Sequence, residues 1–132
     1  MSVVISIYPG PLSSERLLAS HSASAAHVVG TTVVFEGIVR TDEAGRAIRA
    51  LSYEAYEPMA TNSLTELARD ILSKHGLIAI TVEHSRGEVA AGERSFRLTI
   101  DSAHRKEALA AMDEFIDRMK RDVPIWKSPI YI

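Results

Sequence analysis

The sequence predicts an α+β sandwich in which two long helices cover one face of a mainly antiparallel sheet. Two segments repeat apolar residues at helical spacing, and each follows a pair of β-rich runs, giving the order ββα then ββα. With 132 residues, 46% hydrophobic and 24% charged, the chain fits one domain around one core. Residues 1–132 are therefore read as a single domain, with residues 1–30 as an ancillary N-terminal arm.

In that arm VVISIY (Val3 to Tyr8) reads as a short strand. Pro9, Gly10 and Pro11 then turn the chain into SSERLLAS, a short helix with Ser13 or Ser14 as N-cap. HSASAAH (His21 to His27) reads as a surface connection. TTVVFEGIV (Thr31 to Val39) is β-branched and apolar, TDEAG (Thr41 to Gly45) has turn chemistry, and AIRALSYEAY (Ala47 to Tyr56) alternates at Leu51, Tyr53 and Ala55. Together they predict a hairpin. From Pro58 to His75 the residues Met59, Leu64, Leu67, Ala68, Ile71 and Leu72 trace a helical stripe, with Pro58 suited to the first turn and Gly76 to the C-cap.

Leu77 to Val89 and Ser95 to Ala103 form a second predicted hairpin, joined through Ala90 to Arg94. The last helix, His104 to Arg121, places Leu109, Met112, Phe115, Ile116 and Met119 on one face, and Pro124 ends it. The closing run IYI can add an edge strand.

A net charge of -2 and a pI near 6.2 give no global attraction to nucleic acid, so an anion site has to come from locally clustered bases. The absence of cysteine excludes disulfides, thiolate metal sites and a cysteine-borne sulfur carrier or nucleophile. The N-terminus lacks a basic leader region and no window approaches a membrane span, so no membrane partner is expected and a cytoplasmic protein is.

Three basic clusters remain. Arg40 closes the first main strand and, taken alone, reads as a solvated rim residue. His104 and Arg105 start the last helix, where free backbone N–H groups and the dipole favour an anion, unless Asp101 or Glu107 neutralises the pair. In MKRDVPIWK, Lys120 borders the apolar stripe and Lys127 follows Ile125 and Trp126, which are expected to anchor the segment in the core. A lysine so held among cations and partly desolvated favours the neutral amine needed for nucleophilic or base work; the plain reading is a helix-end cation. His84 lies in VEHSRGE without metal-ligand spacing and reads as structural packing. No metal or other cofactor is expected, and hydrolase and nucleotide motifs are absent.

VVFEGIVR (Val33 to Arg40), LSYEAYEPMA (Leu51 to Ala60), VEHSRGEVAAGE (Val82 to Glu93), SAHR (Ser102 to Arg105) and KRDVPIWK (Lys120 to Lys127), in this order and spacing, resemble the large, catalytic subunit of molybdopterin synthase. The resemblance implies an α/β hammerhead fold and a homodimer flanked by two small ubiquitin-like subunits, a heterotetramer. It also implies a sulfurtransferase: the small subunit's C-terminal Gly-Gly thiocarboxylate enters a pocket and, in two rounds, converts cyclic pyranopterin monophosphate to molybdopterin. By motif position, Arg40, His104 and Arg105 would bind the substrate, and Lys120 and Lys127 would be catalytic. Members of that family usually continue past WK with a basic and an acidic residue and a longer tail, whereas this chain reads WKSPIYI. That departure argues for, and the presence of both lysines against, the alternative of a non-catalytic paralogue that binds the ubiquitin-like partner or a phosphate ligand without turnover.

Overall fold

A computed structural model of the chain describes residues 2–14 and 28–132. Strand β1 (Ser2–Pro9) precedes β2 (Thr31–Ile38), β3 (Asp42–Glu43) and β4 (Arg46–Ala55); helix α1 (Met59–His75) follows, then β5 (Ala79–Ala90), β6 (Arg94–Ser102), α2 (Arg105–Asp122) and β7 (Ile125–Tyr131). The strands form one seven-stranded sheet in the order β2-β6-β5-β4-β3, with β1 added to β5 and β7 to β4. Strand β5 joins its two halves: Ala79 to His84 pair antiparallel with β6, while Gly87 to Ala90 pair antiparallel with β4.

The two helices pack side by side on the face formed by β1, β5, β6 and β2. Leu64, Leu67, Ile71, Phe115 and Met119 meet Ile80, Val82, Leu98 and Ile100 in the main core. Ala68, Ala108 and Ala111 are fully buried, and their small side chains let the helices approach the sheet and each other. Gly76 ends α1 in the left-handed conformation (φ 63°), as its C-cap position anticipates. The second predicted hairpin forms as expected, and the C-terminal run extends into a full strand, β7, along β4.

Three expectations are corrected. The first hairpin does not form between β2 and β4: β2 lies against β6, with Val33 opposite Ile100 and Phe35 opposite Leu98. TDEAG does make a tight turn through Ala44 and Gly45, both at positive φ, but it pairs only Asp42–Glu43 with Arg46–Ala47. Alternation sets which face of a strand is apolar, not which strand lies beside it. Leu109 is 55% exposed, because the buried positions of α2 are Ala108, Ala111, Phe115 and Met119, one step around the helix from it. The N-terminal arm is not ancillary as far as Pro9: β1 pairs in parallel with β5 from Ser2 to Pro9, and Val3, Ile5 and Ile7 pack on the main core. The expected short helix after Ser14 and the connection His21 to His27 fall outside the described residues.

The two helices are also clasped at their exposed edges. Glu114 of α2 accepts from Lys74 (2.9 Å) and His75 (3.0 Å) of α1, while Arg118 bridges Glu114 and Asp70. Lys74 and His75 hold the Glu114 carboxyl down at about 2, against an ordinary value of 4.5. A depressed folded-state value means this stabilisation is complete above the ordinary carboxyl range and is lost as pH falls towards 2. The gap in melting temperature between the parent chain and Glu114→Gln is therefore expected to be widest near neutrality and to close through that acid window. A gap independent of pH would contradict the clasp.

Candidate active site

A cleft of about 520 Å³ opens where the end of β2, the middle of β4, the last turn of α2 and β7 converge. Arg40 is placed there by Val39, a buried residue whose N–H donates to Glu93 O (3.0 Å) and whose carbonyl accepts from Gly92 N–H (2.7 Å). These bonds fix the backbone beside the β5–β6 turn and leave the Arg40 side chain exposed at the cleft. Lys120 follows buried Met119 in the last turn of α2 and makes no ion pair among the described residues. Lys127 stands on β7 opposite Tyr53 of β4 and reaches Glu43 of β3 at 3.4 Å. The structure thus brings Arg40, Lys120 and Lys127 together from three distant parts of the chain.

Two details of the expected lysine environment differ. Trp126 is 57% exposed and lines the cleft; Ile125 alone packs on the main core, because successive residues of an edge strand point to opposite faces. Both lysines are exposed, so the neighbouring apolar residues position them without desolvating them.

Under the cations lies an uncharged floor that the sequence did not reveal. Tyr53 donates from its hydroxyl to Ser95 Oγ (2.9 Å) and meets the His84 ring edge-on at 5.4 Å. Phe96, opposite His84 on β6, packs against both His84 and Phe35. His84 is buried as packing, as its strand context anticipates; burial pushes its pKa below the ordinary imidazole value, against the hydrogen bond to Ser85. Inward alternation in SYEAY was a usable signal for Tyr53, but its meeting with His84 and Ser95 depends on strand pairing.

His104 and Arg105 do not reach this cleft. They line a separate depression of about 550 Å³ with Gly30, Thr31 and Ala103, at the start of α2. From His104 to Lys120 the helix rises about 24 Å at roughly 1.5 Å per residue. The two candidate neutralising carboxylates are engaged elsewhere: Asp101 accepts from Thr32 (2.7 Å) and Glu107 from Ser102 (3.4 Å). Glu107 forms no ion pair with His104 or Arg105 among the described residues.

Fold and site together define an α/β hammerhead protein with a cationic cleft at one end of its second helix and a depression lined by His104 and Arg105 at the other. The chain belongs to the MoaE protein family, whose family model matches residues 9–122. It is 36% identical over 122 residues to the molybdopterin synthase catalytic subunit of Coccidioides immitis, covering 92% of this chain and 61% of that protein. To the same-named protein of Dictyostelium discoideum it is 38% identical over 104 residues, covering 77% and 66%. The chain thus spans about three fifths to two thirds of the length of these curated relatives. Among solved structures it resembles molybdopterin synthase from Staphylococcus aureus (TM-score 0.74, 36% identity, 80% of this chain and 77% of that one). It also resembles a chain in the complex of subunits 1 and 2 of molybdopterin-converting factor from Helicobacter pylori (TM-score 0.76, 30% identity, 96% and 88%).

Proposed function

We propose that this chain is a cytoplasmic sulfurtransferase converting cyclic pyranopterin monophosphate to molybdopterin, with sulfur from the C-terminal thiocarboxylate of a small ubiquitin-like subunit. The convergence of Arg40, Lys120 and Lys127 on one cleft, in a chain of this family, carries the reading. The chain has no cysteine, so sulfur has to arrive on another molecule. Opening a cyclic phosphate and attack involving a thiocarboxylate both develop negative charge, which fixed cations stabilise more in the transition state than in the ground state. Lys120, without an ion-pair partner among the described residues, is suited to proton transfer or transient acyl acceptance; Lys127, paired with Glu43, is suited to electrostatic support. Only glycine lets a partner's tail enter a narrow site without side-chain clash. Calorimetry with a small ubiquitin-like subunit ending in Gly-Gly tests this: binding should weaken sharply when the tail is deleted, and equal binding without it would overturn tail insertion.

The separation of His104 and Arg105 from the lysines favours a site shared across a homodimer. A pterin monophosphate spans about half of the roughly 24 Å between the helix ends, so one ligand does not bridge them within a protomer. In a two-fold dimer, His104 and Arg105 of one protomer complete the cleft formed by Arg40, Lys120 and Lys127 of the other. Mixing an inactive His104→Ala/Arg105→Ala variant with an inactive Lys120→Ala variant should restore one site per mixed dimer. No recovery at any mixing ratio would contradict the shared site.

A further inference from the structure

The cations at the cleft account for an anionic group on a ligand, but not for the polar atom left open beneath them. On β5 the residues facing the helices are Ile80, Val82 and His84; the first two close the main core, and His84 falls where that row runs into the cleft. Its side chain is only 6% exposed. Nδ1 lies 2.8 Å from the Ser85 carbonyl oxygen, an acceptor, so Nδ1 carries the proton and donates it. With the ring neutral, Nε2 holds a free lone pair. It is the ring nitrogen far from the backbone, and among the described residues nothing hydrogen-bonds to it. Nε2 is not sealed from solvent but opens on the cleft, where a ligand's donor can take the place of water.

The neighbours narrow what that donor belongs to. Phe96 lies 5.7 Å from the His84 ring and Phe35 6.0 Å from Phe96, an aromatic wall suited to a flat ring system. The Tyr53 hydroxyl donates a hydrogen bond to Ser95 Oγ, which leaves the Ser95 hydroxyl hydrogen free to donate to a carbonyl beside the ligand's N–H.

We propose that His84 Nε2 accepts a hydrogen bond from a ring N–H of the heterocycle of a ligand whose anionic group lies among the cations of the cleft, making His84 a specificity-determining residue of the cleft. This rests on the reading of that cleft as the pyranopterin site, and the experiment separates the two. Calorimetry would compare cyclic pyranopterin monophosphate with a simple cyclic alkyl phosphate, which lacks ring N–H groups, on the parent chain, His84→Phe and His84→Gln. His84→Phe keeps the ring packing and removes the acceptor; His84→Gln places an amide oxygen near the position of Nε2. Pyranopterin affinity should fall about tenfold in His84→Phe, the usual weight of one such hydrogen bond, and return to within about threefold in His84→Gln. Affinity for the alkyl phosphate should not change. Equal pyranopterin binding by the parent and a folded His84→Phe overturns the role of His84, whereas no pyranopterin binding by the parent overturns the site itself. Nitrogen NMR on the ring-labelled parent chain needs no variant: the unprotonated Nε2 resonance should move on adding pyranopterin and stay put with the alkyl phosphate, and an unmoved resonance in the pyranopterin complex contradicts the proposal.

Discussion

Replacing Arg97 by leucine is expected to destabilise the chain by about 3–5 kcal/mol, the range for breaking a buried ion pair from one side. Arg97 is a fully buried side chain at the centre of β6, on the sheet face turned away from the helices. It sits opposite Glu36 of β2 and Glu83 of β5, and donates to Glu36 Oε2 (2.9 Å) and to both oxygens of Glu83 (3.1 and 3.2 Å). A further bond runs to the Ser13 carbonyl, so one guanidinium ties three strands and the N-terminal arm. Burial works against its charge, but the hydrogen bonds and attraction from the two glutamates outweigh this and raise its pKa further. Leucine would leave the Glu83 carboxylate, almost as buried, without its cation. Urea unfolding of Arg97→Leu should show the full loss, and adding Glu83→Gln should recover much of it, because Glu36 keeps Arg94 (2.7 Å) as its partner and no buried charge then stays unpaired. Arg97→Lys should not rescue, since a single ammonium cannot reproduce the fork. Loss of less than about 1 kcal/mol in Arg97→Leu, the weight of a surface pair, would contradict this picture.

Lys120→Ala and Lys127→Ala are each expected to cut molybdopterin formation by at least about a hundredfold, the usual effect of removing one preorganised group that stabilises transition-state charge. Both side chains are exposed, so melting temperatures should barely move. Their different surroundings separate their roles. Lys127 already shares its charge with Glu43, so Lys127→Arg should retain much of the activity if its part is electrostatic. Lys120→Arg should remain as poor as Lys120→Ala, because a guanidinium neither gives up its proton nor accepts an acyl group. Near-normal turnover in folded Lys120→Ala or Lys127→Ala would remove these residues from the chemistry.

How far such features could be read from the chain depended on whether they were local. The stripes of α1 and α2, apart from the exposed Met59 and Leu109, the Gly76 cap and the β5–β6 hairpin are short-range patterns, and each is where periodicity and turn chemistry put it. Arg40, Lys120 and Lys127 stood out through an ordered set of motifs, and their convergence needed the sheet to bring β2, α2 and β7 to one place. Partners across strands were not legible. The placement of β2 beside β6, the ladder of Glu36, Arg97 and Glu83, and the floor of Tyr53, His84 and Ser95 all depend on pairings between distant residues. A single sequence carries no pattern for these, since a charged residue in a strand reads as solvent-facing until its opposite number is known.

The sulfur-transfer reading is tested most directly by reconstitution. The purified chain is mixed with a thiocarboxylated small ubiquitin-like subunit and cyclic pyranopterin monophosphate, and the dithiolene product is measured. Molybdopterin should form in proportion to the thiocarboxylate supplied, two carriers consumed per product, and only with Lys120 and Lys127 intact. Tight binding of both the carrier and the pyranopterin with no molybdopterin formed would contradict the assignment and leave a binding protein without turnover.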